Sequence, residues 1–467
     1  MTPVKARTLT VIGAGWAGLA AAVAATDAGW RVTVLEASPH WGGRARRLPP
    51  GDRHGTDAVL DNGQHILIGA YTATLRLMRR LGVDLEAALQ RMPLALPYPD
   101  GTGLALPRWA DRLPGRLAPW GLAAALLCVR GWSAGERWAM LRAAGRWQRQ
   151  AFACAATATV ADLCAELPPR VVAELIEPLC VAALNTPMAR ASGAVFLRVL
   201  RDALLGEAVP PFAPSDLLIP RVDLGQLLPD PATAALRRAG AHLLTGARAV
   251  ALDRAPDRSD WRITLGSGRV VQSTAVILAC PAWEAARLLA GMRDLAGDGP
   301  AGVALWIEQA RALTHTPIAT VYLDPPAGWR WPAATPMLAL RSDGRGSPAQ
   351  FVFRRAVPKD GWDGLAFVAS APDPALAANR SALTEAVQAQ AASALGLHGG
   401  AVRQTVMEKR ATFACTPGLR RPAARIADGL VAAGDYVTGP YPATLEGAVR
   451  SGLAAVAALT PAPSLRP

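Results

Sequence analysis

Cysteine is scarce in this 467-residue chain, and its six copies (Cys128, Cys154, Cys164, Cys180, Cys280 and Cys415) are scattered with no C-x-x-C pair. That excludes a disulfide framework, and six histidines with no cluster at zinc spacing leave no metal site to expect. A reducing cytoplasm suits such a chain. The apolar run Leu117 to Val129 covers 13 residues, short of the roughly 20 that a spanning helix needs. No fixed repeat runs through the sequence, which sets aside solenoids and propellers. Charge is sparse too, at 18%, and acid is the minority: 36 Asp plus Glu against 49 Lys plus Arg, a net +13. A basic surplus suits an anionic membrane surface or nucleic acid and does not choose between them.

What the chain has in quantity is apolar residues, 51% of it, over a length that suits two packed domains. Its opening has the outline of a secretory signal, Lys5 and Arg7 ahead of the uncharged stretch Leu9 to Ala25. The glycines in that stretch fit a better reading, a buried strand running into a buried helix. Leu9 to Ile12 is the strand, Gly13-Ala14-Gly15-Trp16-Ala17-Gly18 opens an alanine-rich helix, and Arg31 to Leu35 returns as a second strand ending at Glu36. In such a βαβ unit Gly13 permits the tight turn, Gly15 lets the backbone approach a pyrophosphate, and Gly18 lets helix and strand pack closely. The helix N-terminus faces the phosphates. Glu36 stands where a carboxylate accepts hydrogen bonds from a ribose diol, which disfavours a 2′-phosphate and leaves NAD or FAD.

The next residues separate those two. Ala37 to Trp41 and then Gly42-Gly43-Arg44 follow Glu36 directly, and the arrangement resembles the FAD enzymes of the amine oxidase and phytoene desaturase superfamily. The resemblance implies FAD, with Gly43 near the cofactor and Arg44 neutralising its diphosphate. Near the other end, Gly429 to Asp435 and the helix opening at Pro440 to Val449 resemble the same superfamily. There Gly434 and Asp435 meet the ribityl or pyrophosphate region, and Leu445, Glu446 and Ala448 lie at a helix start against the flavin ring, where a helix N-terminus favours negative charge. A third piece, Ala239 to Val250, Trp261 to Leu265 and Ala275 to Pro281, supplies Ala249 as the implied adenine contact.

The fold expected is therefore α/β: a Rossmann-like FAD-binding domain of the glutathione-reductase and amine-oxidase type, interleaved with a substrate domain of mixed sheet and helices. The FAD-binding domain is assembled from residues 1–85, 220–295 and 411–467, and the substrate domain from 86–219 and 296–410. The second insertion carries β-like runs, Ile318 to Leu323, Gln350 to Phe353 and Leu365 to Ala369, that read as a sheet walling a cavity. The first reads as largely helical. Within it Arg108, Trp109, Arg112, Arg116, Trp120, Arg130, Trp132, Arg137, Trp138, Arg146 and Trp147 interleave. Such a stretch binds single-stranded nucleic acid, lies on an anionic bilayer or forms ordinary helical surface and core, and no nucleic-acid-binding motif accompanies it.

Asp61-Asn62-Gly63-Gln64-His65-Ile66 and its continuation to Tyr71, taken with Pro440 to Gly452, resemble the squalene-associated FAD-dependent desaturases, the hydroxysqualene dehydroxylase family. The resemblance runs over essentially the whole chain. It implies reductive replacement of the hydroxyl of hydroxysqualene by hydrogen on a bacterial route to squalene and hopanoids. It further implies a lipophilic C30 isoprenoid substrate, an external flavin reductant, and a place at the inner face of the cell membrane. Gly63, Gln64, His65 and Ile66 are then expected beside the flavin. His65, which titrates near neutrality, is the expected general acid, with Asp61 orienting it or serving directly. The bland alternative is that Asp61 to His65 only shape the backbone around the ring. Tyr71 and Tyr441 are further cavity candidates, and Cys415 reads as a small buried thiol. No cysteine falls in the segments matched to the ring, so the cofactor is expected to be dissociable. The same FAD motifs also serve a carotenoid-type desaturase or an amine oxidase, and more remotely a non-enzymatic escort of isoprenoid chains. No metal is expected.

Overall fold

The structure, a computed structural model, describes residues 7–48, 59–107, 109–110, 118–255, 260–292, 300–356 and 363–459. Arg108, Arg112 and Arg116 lie outside the described residues. The chain opens as β1 (Thr8–Ile12), α1 (Trp16–Asp27) and β2 (Arg31–Leu35). β1 pairs in parallel with β2 on one side and with Ala275–Leu278 on the other. Their sheet runs, in spatial order, Arg425–Ala427, Leu430–Ala432, Ala275–Leu278, β1, β2, His242–Leu244. Strands from the beginning, middle and end of the chain thus share one sheet, and β1 is buried because it sits between two neighbours with helices against it.

Helix α1 is buried nearly all round, which explains its composition: alanine and glycine let other elements close in on every side. The C-terminal helix Leu445–Leu459 packs on it so closely that a Cβ at Gly452 would lie 2.2 Å from the Ala17 carbonyl oxygen. This contact ties the two ends of the chain together.

A second, five-stranded antiparallel sheet has the order Met337–Ala339, Phe351–Ala356, Asp363–Ser370, His315–Asp324, Ala401–Phe413. Val321, Leu323, Val352 and Phe367 join Val387 and Ala391 of helix Arg380–Leu395 in one apolar cluster. The alternate residues face the opposite way, and this period-two division makes one face core and the other a cavity wall. The pairing of Ala401–Phe413 with His315–Asp324 continues to Phe413, so residue 411, the expected start of the third FAD-binding stretch, still belongs to this sheet. A small sheet of Leu67–Ile68, Leu217–Pro220 and Leu89–Met92 likewise straddles the expected boundaries at 85 and 220.

The first insertion is helical, including Ala118–Leu127, Ala134–Arg149, Glu177–Leu184 and Gly193–Leu205. Ala134–Arg149 starts at a reciprocal cap between Ser133 and Glu136. Among the described residues no helix is long and apolar enough to cross a membrane, and no cluster of His, Cys, Asp and Glu is arranged to hold a metal.

The tight crossing at Gly452 is testable. Gly452→Ala adds one methyl group against backbone, and overpacking of this kind costs about 1–3 kcal/mol. Urea denaturation should show that loss, and an unchanged midpoint would contradict the close packing of the two helices.

Candidate active site

The site begins at the turn after β1. Gly13 has φ +108°, and a Cβ there would lie 2.6 Å from the Ala279 carbonyl oxygen; one at Gly18 would lie 2.0 Å from the oxygen of Gly13. Gly15 differs, because a Cβ there meets nothing nearer than the Gly43 Cα at 3.9 Å. Its outer face is open at the start of α1, where backbone amides point outward. The second glycine turn folds onto the first: the Gly42 amide donates to the Ala14 carbonyl at 2.9 Å, and Gly43, at φ +63°, has room for a Cβ only 3.0 Å from the Gly15 Cα. Glu36 is fixed beside them, one carboxylate oxygen accepting from the Ala14 amide and the other from the Ser38 amide, each at 2.8 Å. Each oxygen keeps a further lone pair for a ribose hydroxyl.

These turns open into a cavity of about 660 Å³. Of the residues singled out from the sequence, Gly13, Gly15, Glu36, Ala37, Gly43, Arg44, Gly63, Gln64, His65, Ile66, Ala249, Gly434, Asp435, Leu445 and Ala448 all line it, as does Tyr71. Ala14, Gly18, Asp61 and Glu446 do not. Ala14 acts through its amide on Glu36 and Gly18 through its closeness to Gly13. Cys415 is also off the wall, buried with its thiol pushed up to about 12 by loss of solvent. An open phosphate-sized face at Gly15, a carboxylate at the ribose position and an arginine on the same wall fit a flavin dinucleotide.

Arg44 joins the first chain stretch to the last. Its guanidinium donates to the Ala411 carbonyl at 2.5 Å and to the Asp435 carboxylate at 2.6 Å. Asp435 is 8% exposed and the Arg44 side chain 39%, so the pair is charge-assisted and sheltered on its carboxylate side.

Two expectations change. Asp61, expected to orient His65 or act directly, is turned away from the cavity and nearly fully buried. One of its oxygens accepts from the Leu224 amide at 2.9 Å, the other from Arg355 at 2.7 Å, while Tyr322 donates to its carbonyl at 3.0 Å. Burial pushes its carboxyl pKa up, and the Arg355 charge acts against that. Asp61 is therefore the strut that holds the Asn62–Ile66 segment against both sheets. Glu446, expected beside the flavin ring, accepts instead from the amides of Ala73 and Thr74 at 3.0 and 2.9 Å, from the Thr74 hydroxyl at 2.7 Å and from Arg450 at 2.6 Å. The helix Thr72–Arg80 starts without a side-chain cap of its own, and a carboxylate from the C-terminal helix satisfies its free amides.

His65 is oriented by backbone rather than by Asp61: its Nδ1 lies 2.9 Å from the Gly63 carbonyl, which assigns the Nδ1–H tautomer and leaves Nε2 as the acceptor. Burial lowers its pKa from the usual 6.5, so the ring is neutral at neutral pH. Tyr71 meets Tyr441 edge-on at 6.2 Å between ring centres, and Tyr441 itself lies off the wall.

The sheet expected from Ile318 to Leu323, Gln350 to Phe353 and Leu365 to Ala369 does wall the cavity, but sequence reasoning named neither the residues that face it nor the strand Ala401–Phe413. Ile318, Thr320, Phe351, Phe353, Val368, Val406 and Glu408 face the cavity from the second sheet, with Val181 to Asn185 of the helical insertion beside them. Period-two alternation in those strands was the available signal, and it needed the sheet order to become a surface. The Thr320 hydroxyl accepts from the Gln64 amide at 3.3 Å, joining that wall to the Asn62–Ile66 segment.

These features define an FAD-dependent oxidoreductase, and the comparisons agree. The flavin containing amine oxidoreductase family matches residues 16–460, and the chain belongs to that family. Within it, the hydroxysqualene dehydroxylase of Rhodopseudomonas palustris is 31% identical, covering 96% of each chain, and that of Sinorhizobium fredii 29% identical, covering 95% of each. The chain is a member of the hydroxysqualene dehydroxylase family. In fold it is similar to an oxidoreductase from Methanosarcina mazei, with a TM-score of 0.71 at 15% identity over 97% of this chain and 100% of that one.

Replacing Arg44 by Ala strips Asp435 of its ion-pair partner and the cavity wall of one cation. FAD affinity, titrated by flavin fluorescence, should fall by about tenfold or more, and Arg44→Lys should restore only part of it because one ammonium cannot bridge both acceptors. Unchanged affinity in Arg44→Ala would remove Arg44 from the cofactor site.

Proposed function

We propose that this oxidoreductase runs in the reductive direction, replacing the hydroxyl of hydroxysqualene by hydrogen to give squalene on a bacterial route to hopanoids. The observation that carries the reading is the apolar wall Ile318, Phe351, Phe353, Val368 and Val406 standing over the Asn62–Ile66 segment, in a chain of this family. When reduced, bound FAD supplies a hydride. The residues of the chain do the rest. The sheet wall holds a long hydrocarbon and keeps water from the reacting carbon. In its protonated form, with Nδ1 still held by the Gly63 carbonyl, His65 donates from Nε2 the proton that turns the departing hydroxyl into water, since hydroxide is a poor leaving group.

The sign of the pH dependence follows from burial. His65 has a lowered pKa, so its acid form is present at low pH and disappears as pH rises through a value below 6.5. Turnover of hydroxysqualene by the FAD-loaded protein with a chemical reductant should fall along that limb. His65→Asn should lower turnover by about 10²- to 10⁴-fold and flatten the limb. A variant with near-wild-type turnover would remove His65 as the acid. Wild type converting a phytoene-like polyene or an amine, and leaving hydroxysqualene untouched, would overturn the reading as a whole.

The same reading includes a membrane-facing surface. The Arg–Trp stretch divides: Trp132 and Trp147 are buried, whereas Trp109, Trp120 and Trp138 are 58%, 68% and 59% exposed, with Leu127 exposed among them. Exposed indoles amid arginines fit the headgroup level of an anionic bilayer, the source of a C30 hydrocarbon. Replacing Trp120 and Trp138 together by Ser should weaken sedimentation with anionic vesicles by about tenfold without loss of FAD; unchanged sedimentation would remove this face as the contact.

A further inference from the structure

We infer that Glu408 is a further catalytic residue, whose carboxylate faces the positive charge that develops on the substrate as its hydroxyl leaves. The inference rests on the dehydroxylation reading above.

Glu408 lies on the strand Ala401–Phe413, opposite Ile318 of the neighbouring strand and two residues from Val406, which is opposite Thr320. All four line the cavity, so a charged acid stands in a sheet wall otherwise built of uncharged side chains, aliphatic and aromatic with the hydroxyls of Thr320, Ser370 and Thr412. Among the described residues three other acids reach the cavity, and each is engaged. Glu36 takes the amides of Ala14 and Ser38, Asp435 takes Arg44, and Glu284 takes Arg248 and Arg287. Glu408 accepts from the Asn62 side-chain amide at 3.2 Å and from the Arg410 backbone amide at 3.3 Å, both neutral donors.

Its place matters as much as its charge. The Asn62 amide nitrogen also donates to the Arg44 carbonyl at 2.9 Å, which pins the carboxylate one residue from Gly63. The cationic groups around it make their direct contacts elsewhere, Arg44 with Asp435 and Ala411 and the Arg410 guanidinium over the Trp283 ring at 4.5 Å, and the Arg44 charge also acts on Glu408 through space. Lys409 is exposed, and burial lowers the pKa of both His65 and His315. Once a hydrocarbon has displaced water from this wall, a negative charge there acts through a low dielectric on whatever charge forms beside it.

The chemistry calls for such a charge. The C–O bond breaks with its electron pair going to oxygen, which takes the His65 proton and departs as water. The remaining allylic cation shares one positive charge over three carbons, and the hydride that closes it is the chemistry bound, reduced FAD would supply. Glu408 forms no bond in this sequence. It lowers the energy of the cation relative to the neutral alcohol, which is the difference that accelerates a reaction.

The test uses the FAD-loaded protein and two probes: a C30 isoprenoid with a tertiary ammonium in place of the carbinol carbon, and its neutral carbon isostere. Binding is read from perturbation of the flavin spectrum, without turnover. Glu408→Gln keeps an acceptor for Asn62 and removes the charge; Glu408→Asp keeps the charge. The ammonium should bind Glu408→Gln about 10- to 100-fold more weakly than wild type, the isostere equally to both, and Glu408→Asp should recover much of the preference. In turnover, kcat of Glu408→Gln should fall by about 10²- to 10³-fold with KM nearly constant. Equal ammonium binding by wild type and Glu408→Gln, or equal loss of both probes, would overturn the inference. A wild type that prefers the ammonium and leaves hydroxysqualene unreacted would instead overturn the dehydroxylation reading while leaving the charge at Glu408 in place.

Discussion

Two glycine turns pressed against each other set the geometry on which the rest of this molecule depends. Gly15 and Gly43 approach so closely that a side chain on Gly43 would meet the other backbone at 3.0 Å, and Gly13 and Gly18 close the same knot from beneath. Backbone contact at that distance fixes where α1 begins, where Glu36 stands and where Arg44 emerges. Arg44 then reaches Asp435, nearly four hundred residues on, and the chain's two ends close around one cavity. The constraint is steric first and electrostatic second, which is why glycine is required at the contact and an arginine beyond it.

A second constraint joins the cofactor side to the substrate side. The ion pair Asp61–Arg355 is almost completely buried, both partners being under 6% exposed. Removing one member of such a pair leaves an uncompensated charge, so it holds its two segments in register. Through it the Asn62–Ile66 segment is locked beneath the antiparallel sheet, with Tyr322 and Thr320 adding neutral bonds to the same backbone. The reacting region is therefore a rigid seam between two sheets. Rigidity suits the proposed dehydroxylation, in which a cation would have to be kept from water.

The nucleotide-binding half was legible in the sequence because its information is local. Gly13, Gly15, Gly18, Glu36 and Gly42 to Arg44 lie within about thirty residues, and each does what its own backbone position demands. Asp61 and Glu446 were read toward the cavity because their neighbours in sequence lie there. Their actual partners, Leu224, Arg355 and Thr74, come from more than 150 residues away, and no local pattern announces a buried strut or a cap supplied by another helix. Glu408 was invisible for a related reason. One acid in a strand reads as a solvated edge until the sheet order shows which face is closed. The tryptophans between 107 and 147 show the same limit, since their interleaving with arginine was plain and the division into buried and exposed rings was fixed only by helix packing.

The central claim of the proposed function is that the hydrogen replacing the hydroxyl would come from FAD bound and reduced in this cavity. The most direct measurement is a single turnover under anaerobic conditions in heavy water, with the FAD-loaded protein fully reduced before hydroxysqualene is added. The account predicts flavin oxidation in step with squalene formation and one deuterium on the carbon that carried the hydroxyl. Squalene without deuterium at that carbon, or a flavin that stays reduced while product forms, would contradict it.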